Sequence, residues 1–299
     1  MSRSFFLQLA LIVSTGVVGV APAQAEEANC PRSGHGELPP PETDQDIAIY
    51  ASNETALVMI EIEDQPLAPF VLDFGSGGNL VSLDLADRLD LPELGPSNSV
   101  DGIGEPVPGY RTCLRNMQIG SVAIPDGEAT AFPYSFHDAE GIVGPSSFNG
   151  RLVRFDGPGS KMQVLASPTP SSDWGNPVRW HGQIGDTVPM VEFSIGDVRI
   201  EAILDTGSTS HMILPTVYRD KFTFMDEPVK IGELGFAADA AATPVFEGRV
   251  DGILRAGSVT IKNPLVSFAD IEAPLIGWPL IRHMTFVIDP NNQLTWFPE

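Results

Sequence analysis

The sequence predicts an all-β molecule of two similar lobes facing each other across a cleft. Three observations carry this expectation. The string Ile203-Leu204-Asp205-Thr206-Gly207-Ser208 has an earlier counterpart in the first half of the chain, Val71-Leu72-Asp73-Phe74-Gly75-Ser76. Downstream matches closely keep the spacing set by the two aspartates: Ile142-Val143-Gly144 answers to Leu275-Ile276-Gly277, and Phe155-Asp156 to Ile288-Asp289. Such a repeat means a chain built twice around one aspartate. Finally, 29 glycines and 27 prolines in 299 residues punctuate the chain too densely for long helices and suit short strands joined by turns.

With 42% hydrophobic residues the chain can fill two cores of ordinary size. Residues 1–25 have their own composition. Arg3 is the only charge, an apolar run follows from Phe5 to Ala21, and Ala23-Gln24-Ala25 fits the small-residue cleavage pattern of a secretory signal. A signal peptide is therefore expected at 1–25, with export to the periplasm or the exterior. The alternative is an uncleaved anchor, for which the run is slightly short of the roughly 20 residues a spanning helix needs. An N-terminal tail rich in proline, glycine and acid is expected at 26–46. The first lobe, with Asp73, is expected at 47–167, a linker at 168–177, and the second lobe, with Asp205, at 178–299.

Within the lobes, Ala56 to Ile62 alternates as a strand does, and Phe70-Val71-Leu72 delivers Asp73 to a glycine-rich turn. Met190 to Ile195, a turn at Gly196-Asp197 and Val198 to Leu204 repeat that sequence before Asp205. Short helices are expected at Leu83–Leu89 and Pro215–Lys221. A glycine- and proline-rich hairpin tip is expected from Asp101 to Tyr110. Each lobe ends in strands around an acid, Asp156 or Asp289.

The formal net charge of −22 argues against a nucleic-acid partner, whose phosphates need a basic surface, and against adsorption to anionic lipid. Its plain meaning is solubility. Two cysteines occur, Cys30 and Cys113. Export favours a disulfide that pins the tail to the first lobe, over two free buried thiols. The five histidines show no ligand spacing, so neither a metal nor an organic cofactor is expected.

Two carboxyls placed face to face can do what one cannot. Peptide hydrolysis needs a base for the attacking water and an acid for the carbonyl oxygen, and a carboxyl pair sharing one proton supplies both. Asp-Thr-Gly-Ser after two apolar residues, with an apolar-apolar-Gly step about 70 residues later, resembles the pepsin-like and retropepsin-like aspartic proteases. The repeated pattern covers Ala56 to Phe297. The resemblance implies Asp73 and Asp205 as catalytic residues, and Gly75, Ser76, Thr206, Gly207 and Ser208 as their support. It implies a flap containing Gly102, Gly104 and Tyr110, although Tyr110 reads equally as an ordinary strand tyrosine. The implied substrate is a peptide or unfolded protein bound as an extended strand, and the implied state a monomer, with no membrane contact once the signal is removed. Hydroxyls at Ser76 and Ser208, donating to the outer carboxylate oxygens, imply an acidic optimum.

Phe74 departs from the family pattern, which has threonine or serine there. Either apolar packing between the lobes replaces the missing hydroxyl, or the dyad has drifted and the protein binds peptides or a partner without cutting them. A structural protein with a self-filled cleft is a third reading. Asp-Phe-Gly also occurs in protein kinases, but no phosphate loop, Val-Ala-Ile-Lys strand or His-Arg-Asp accompanies it, and no Gly-X-Ser-X-Gly elbow supports a serine hydrolase. Asp156 and Asp289 lack the glycine turn and read as structural.

Overall fold

Alternating side chains make Ala56–Ile62 a strand with every second residue buried, and it pairs antiparallel with Ala68–Leu72. Ala68–Leu72 is apolar on both faces and runs inside the sheet, where it ends at Asp73. The computed structural model describes residues 30, 36–51, 55–100, 106–133, 139–181, 188–234 and 243–298, with the backbones of two further short strands, Phe5–Leu7 and Val13–Ser14. These two strands pair with Gly232–Leu234 and with Ser99–Val100. The rest of the expected leader lies outside the described residues, as do Gly102 and Gly104. Among the described residues no helix is long and apolar enough to cross a membrane.

The fold is all-β. One ten-stranded sheet forms each lobe, and a six-stranded sheet joins them. The two lobe sheets share one strand order. In the first, Ala56–Ile62, Ala68–Leu72, Gly141–Val143, Asn79–Ser82, Gly127–Phe132 and Tyr110–Leu114 lie side by side; in the second, Met190–Ile195, Val198–Asp205, Leu275–Gly277, Met212–Pro215, Leu265–Ala269 and Thr243–Arg249 do. The strand that ends in each apolar-Gly step is threaded between the strand entering the aspartate loop and the strand leaving it. It pairs parallel with the first, Leu72 opposite Val143 and Asp205 opposite Gly277, and antiparallel with the second. Such threading needs both neighbours to bury both faces, which is why these segments read as unbroken apolar runs.

The six-stranded sheet takes strands from both ends of the chain. Val153–Asp156 pairs antiparallel with Thr285–Asp289, putting Phe155 opposite Phe286. Gln45–Ala48 pairs with Lys161–Val164, so the end of the segment expected to be a surface tail already belongs to this sheet. Further up the tail, Leu38 N–H donates to the Asn149 carbonyl, and the Arg151 guanidinium donates to the carbonyls of Pro39 and Ala123. Cys30 and Cys113 form a disulfide.

Leu83–Arg88 is the expected helix, capped by the Ser82 hydroxyl, which accepts from Leu85 N–H. Thr216–Lys221 is a 3-10 turn instead. It starts after Pro215 without a side-chain cap and opens on two β-branched residues, a poor start for an α-helix.

Candidate active site

Each aspartate stands at the end of an apolar strand, where the backbone turns sharply and its N–H groups fold back on the carboxylate. Gly75 N–H donates to Asp73 Oδ1 at 2.8 Å. Gly207 and Ser208 N–H groups donate to Asp205 Oδ1 at 3.0 and 2.9 Å. Both carboxyls are fully buried. The two loops also interlock. A Cβ on Gly75 would lie 2.6 Å from Asp205 Cγ, and one on Gly207 2.5 Å from Asp73 Oδ2, distances that no side chain tolerates. Each glycine is thus the floor on which the opposite carboxyl rests, and this crosswise packing brings Asp73 and Asp205 together.

The remaining oxygens, Asp73 Oδ2 and Asp205 Oδ2, have no donor among the described residues. Two ionised carboxylates can only accept; once one is protonated, they hydrogen-bond to each other. The electrostatics follow. Burial, then the Asp205 charge, hold Asp73 well above the usual carboxylate range, against the opposing pull of the Gly75 and Gly207 N–H groups. Burial pushes Asp205 up to about 6, against the hydrogen bond from Asp73 and the N–H groups of Ser208 and Gly207. The two titrate as a unit, with one proton held between them over a wide range.

The apolar-Gly steps brace the loops from beneath. Val143 carbonyl accepts from Asp73 N–H at 3.0 Å, and Gly277 N–H donates to the His211 carbonyl at 3.0 Å. The first lobe solves the equivalent place differently: Asn79 Oδ1 accepts from Gly144 N–H at 3.0 Å and from Ser147 Oγ at 2.9 Å. Asn79 was not singled out from sequence; its signal was its place, which in the first copy is the one that His211 holds in the second.

Thr206 reaches across the lobe boundary. Its hydroxyl accepts from Phe74 N–H at 2.8 Å and donates to the Leu72 carbonyl at 2.6 Å. Phe74 returns no side-chain bond. Its ring is fully buried in an aromatic cluster, edge-on to Phe155 at 6.1 Å and to Phe286 at 6.0 Å. Those two rings stack at 4.8 Å, one from each lobe. Two edge contacts at about 0.5–1.5 kcal/mol each match or exceed one lost hydrogen bond at about 1 kcal/mol.

Residues 58–147 match the family model described as aspartyl protease. The first lobe resembles an aspartyl protease domain. The match includes Asp73, its loop and Gly144, and it ends well before Asp205, covering less than a third of the chain. No curated protein matches the chain. An aspartyl protease domain supports a protease hydrolase as the broad class.

Several supporting residues differ from what the family resemblance implied. Ser76 Oγ donates to the Gly78 carbonyl at 2.7 Å, and Ser208 Oγ accepts from Ser210 N–H at 3.3 Å. Neither hydroxyl is engaged with a carboxylate; Ser208 supports Asp205 through its backbone N–H. The stated basis for an acidic optimum is thereby removed. Tyr110 lies in the strand Tyr110–Leu114, paired with Ala131 and Pro96 and packed on the first lobe's core, where burial and then the charges of Asp87 and Glu93 raise its hydroxyl pKa. It is placed as a strand tyrosine at the base of the hairpin. Asp156 accepts from Gly159 N–H, and Asp289 from Asn292, both closing turns as structural acids.

Proposed function

We propose that this protein is an exported aspartic endopeptidase whose Asp73–Asp205 dyad activates a water molecule against a peptide carbonyl. The observation that carries the reading is the crosswise packing of Gly75 under Asp205 and Gly207 under Asp73, which builds a buried pair of coupled carboxyls out of two matched loops. One carboxylate takes a proton from water as the nucleophile forms, and the other carboxyl gives a proton to the carbonyl oxygen. The carboxyl that took the water's proton then passes it to the amide nitrogen as the C–N bond breaks, the other carboxylate takes a proton from a hydroxyl of the diol, and the amine and acid leave with the pair's single shared proton restored. No metal is required by this chemistry.

An extended, apolar stretch of unfolded protein is the substrate that the aspartyl protease resemblance implies, bound as a strand. With the serine hydroxyls turned elsewhere and Asp205 at about 6, the singly protonated pair persists into mildly acidic and neutral solution. Periplasmic or extracellular working conditions are compatible with that range.

A second reading, a peptide-binding protein on the same scaffold, draws on the full burial of both carboxyls, which keeps them from the surface. One experiment separates the two. Purified chain and an Asp205→Asn variant are incubated with an unstructured, hydrophobic-rich protein from pH 4 to 8. Cleavage by the parent and none by the variant supports the peptidase. Binding by both with cleavage by neither supports the binding protein.

A further inference from the structure

In each lobe the strand beyond Tyr110–Leu114 or Thr243–Arg249 is the outer stem of a hairpin. In the second lobe it is Val229–Leu234, which returns as Thr243–Arg249. In the first it is the run from Gly95–Pro96 to Ser99–Val100, which returns toward Tyr110: Gly95 and Pro96 pair with Arg111 and Tyr110, Ser97 N–H donates to the Gly109 carbonyl, and Val107 N–H donates to the Ser99 carbonyl. The strand order of the two sheets makes these stems equivalent. The outer side of such a stem offers a row of N–H and C=O groups, a template for one more strand.

A single stretch of the chain supplies that strand to both lobes. Phe5–Leu7 pairs parallel with Gly232–Leu234, and Val13–Ser14 pairs antiparallel with Ser99–Val100. The opposite senses have a geometric cause: two copies facing each other across a twofold axis present equivalent strands in opposite directions to one segment that passes between them. Leu7 and Val13 are six residues apart, so the two stems lie within about 20 Å of each other. Residues 4–25 carry no charged side chain, so laying this stretch along a sheet edge leaves no ion to desolvate.

We infer that residues 5–14 are a built-in occupant of the strand edges that an extended peptide would otherwise join, and that the chain is closed to peptide for as long as its leader is attached. The inference rests on the reading of the site as one that takes an extended peptide, and adds how access to it is controlled. Ser99–Val100 runs directly into the stretch implied to be the flap, which puts the occupant where a substrate strand has to pair. High affinity is not required. A segment tethered to its own site acts at an effective concentration of about 1 mM, so one that binds at only ~0.1 mM weakens a competing peptide about tenfold.

The test compares the purified full-length chain, leader retained, with a Phe6→Pro, Val13→Pro double variant. Proline removes a main-chain donor from each added strand and disrupts its ladder. Backbone hydrogen exchange is followed by mass spectrometry, and the affinity of a fluorescent apolar peptide by anisotropy. In the variant, exchange over 95–100 and 229–234 is expected to be faster, with Lys161–Val164 unchanged as the control for folding, and the peptide to bind about tenfold more tightly. A synthetic peptide of residues 4–15, added to the variant, should reverse both effects. Equal exchange, equal affinity or no effect of the added peptide overturns the inference. So does protection in the parent that is lost on dilution, which would put a second copy's leader on the edges. Neither readout needs turnover: tighter binding by the variant without cleavage refutes the peptidase reading alone, and cleavage by two forms that exchange and bind alike refutes this inference alone.

Discussion

Thr206 and Phe74 occupy equivalent places in the two copies of the aspartate loop, and they meet through a hydrogen bond that runs one way. Thr206 Oγ1 accepts from the Phe74 N–H at 2.8 Å while donating its own O–H to the Leu72 carbonyl. The second lobe thus holds the first by a hydroxyl, and the first holds the second by an aromatic ring set edge-on against the stacked pair Phe155 and Phe286. A symmetric motif has become two different fasteners.

Thr206→Val removes the hydroxyl and leaves the Phe74 N–H and the Leu72 carbonyl buried without that partner. The expected cost is about 3 kcal/mol, read as a shift in the urea unfolding midpoint, with a fall in peptide cleavage as the Asp73 loop loosens. An unchanged midpoint would mean that water reaches both groups.

Phe74→Thr restores the residue typical of the aspartic protease family, yet it should destabilise this protein. Removing the ring opens a cavity at the centre of the aromatic cluster, and losses of about 3 kcal/mol are usual for truncating a buried phenylalanine. Thermal unfolding of the variant measures it. A gain in stability would show that the hydroxyl contact, once made, outweighs the edge-on ring packing.

The pH profile of kcat/KM should rise as the pair loses its first proton, with Asp205 pushed up to about 6, and decline as the pair loses its second at higher pH. Ser76→Ala and Ser208→Ala should leave the lower limb in place, because neither hydroxyl bonds a carboxylate. A lower limb near pH 3, moved upward by either substitution, would place those hydroxyls on the carboxylates after all.

Stability should also depend on pH through the dyad. The folded-state pKa of each carboxyl lies above its unfolded value near 3.8, so the folded state binds more protons. The associated stabilisation is complete below about pH 4 and is lost as pH rises through about 6 for Asp205. Asp205→Asn, which cannot ionise, should therefore unfold at higher temperature than the parent at pH 7, by on the order of 2 kcal/mol, with the difference shrinking toward pH 4. Parallel melts at pH 4, 5.5 and 7 read this directly.

The disulfide closes a loop of 83 residues between the tail and the strand that contains Cys113. By the chain-entropy argument its removal costs about 4 kcal/mol. Melting with and without reductant, and of Cys30→Ser with Cys113→Ser, should show the same loss; no loss in either would show that the cross-link does not limit the unfolded chain.

The sequence by itself determined the all-β class, the pairing of the two aspartate loops and the strands beneath them. These follow from period-two alternation, from unbroken apolar runs and from the fixed spacing of the repeat, all of which are local or arithmetical. It also showed that Phe74 could not do what Thr206 does. Only the tertiary structure decided what Phe74 does instead, because Phe155 and Phe286 lie far from it along the chain, one near the end of each lobe, and meet it only where the lobes join. The same holds for Ser76 and Ser208, whose hydroxyls could turn to a carboxylate or to their own loop with nothing in the motif to choose between them. Backbone geometry chose the loop, because the turn after each aspartate brings a main-chain partner within reach of the hydroxyl, the Gly78 carbonyl for Ser76 and the Ser210 N–H for Ser208.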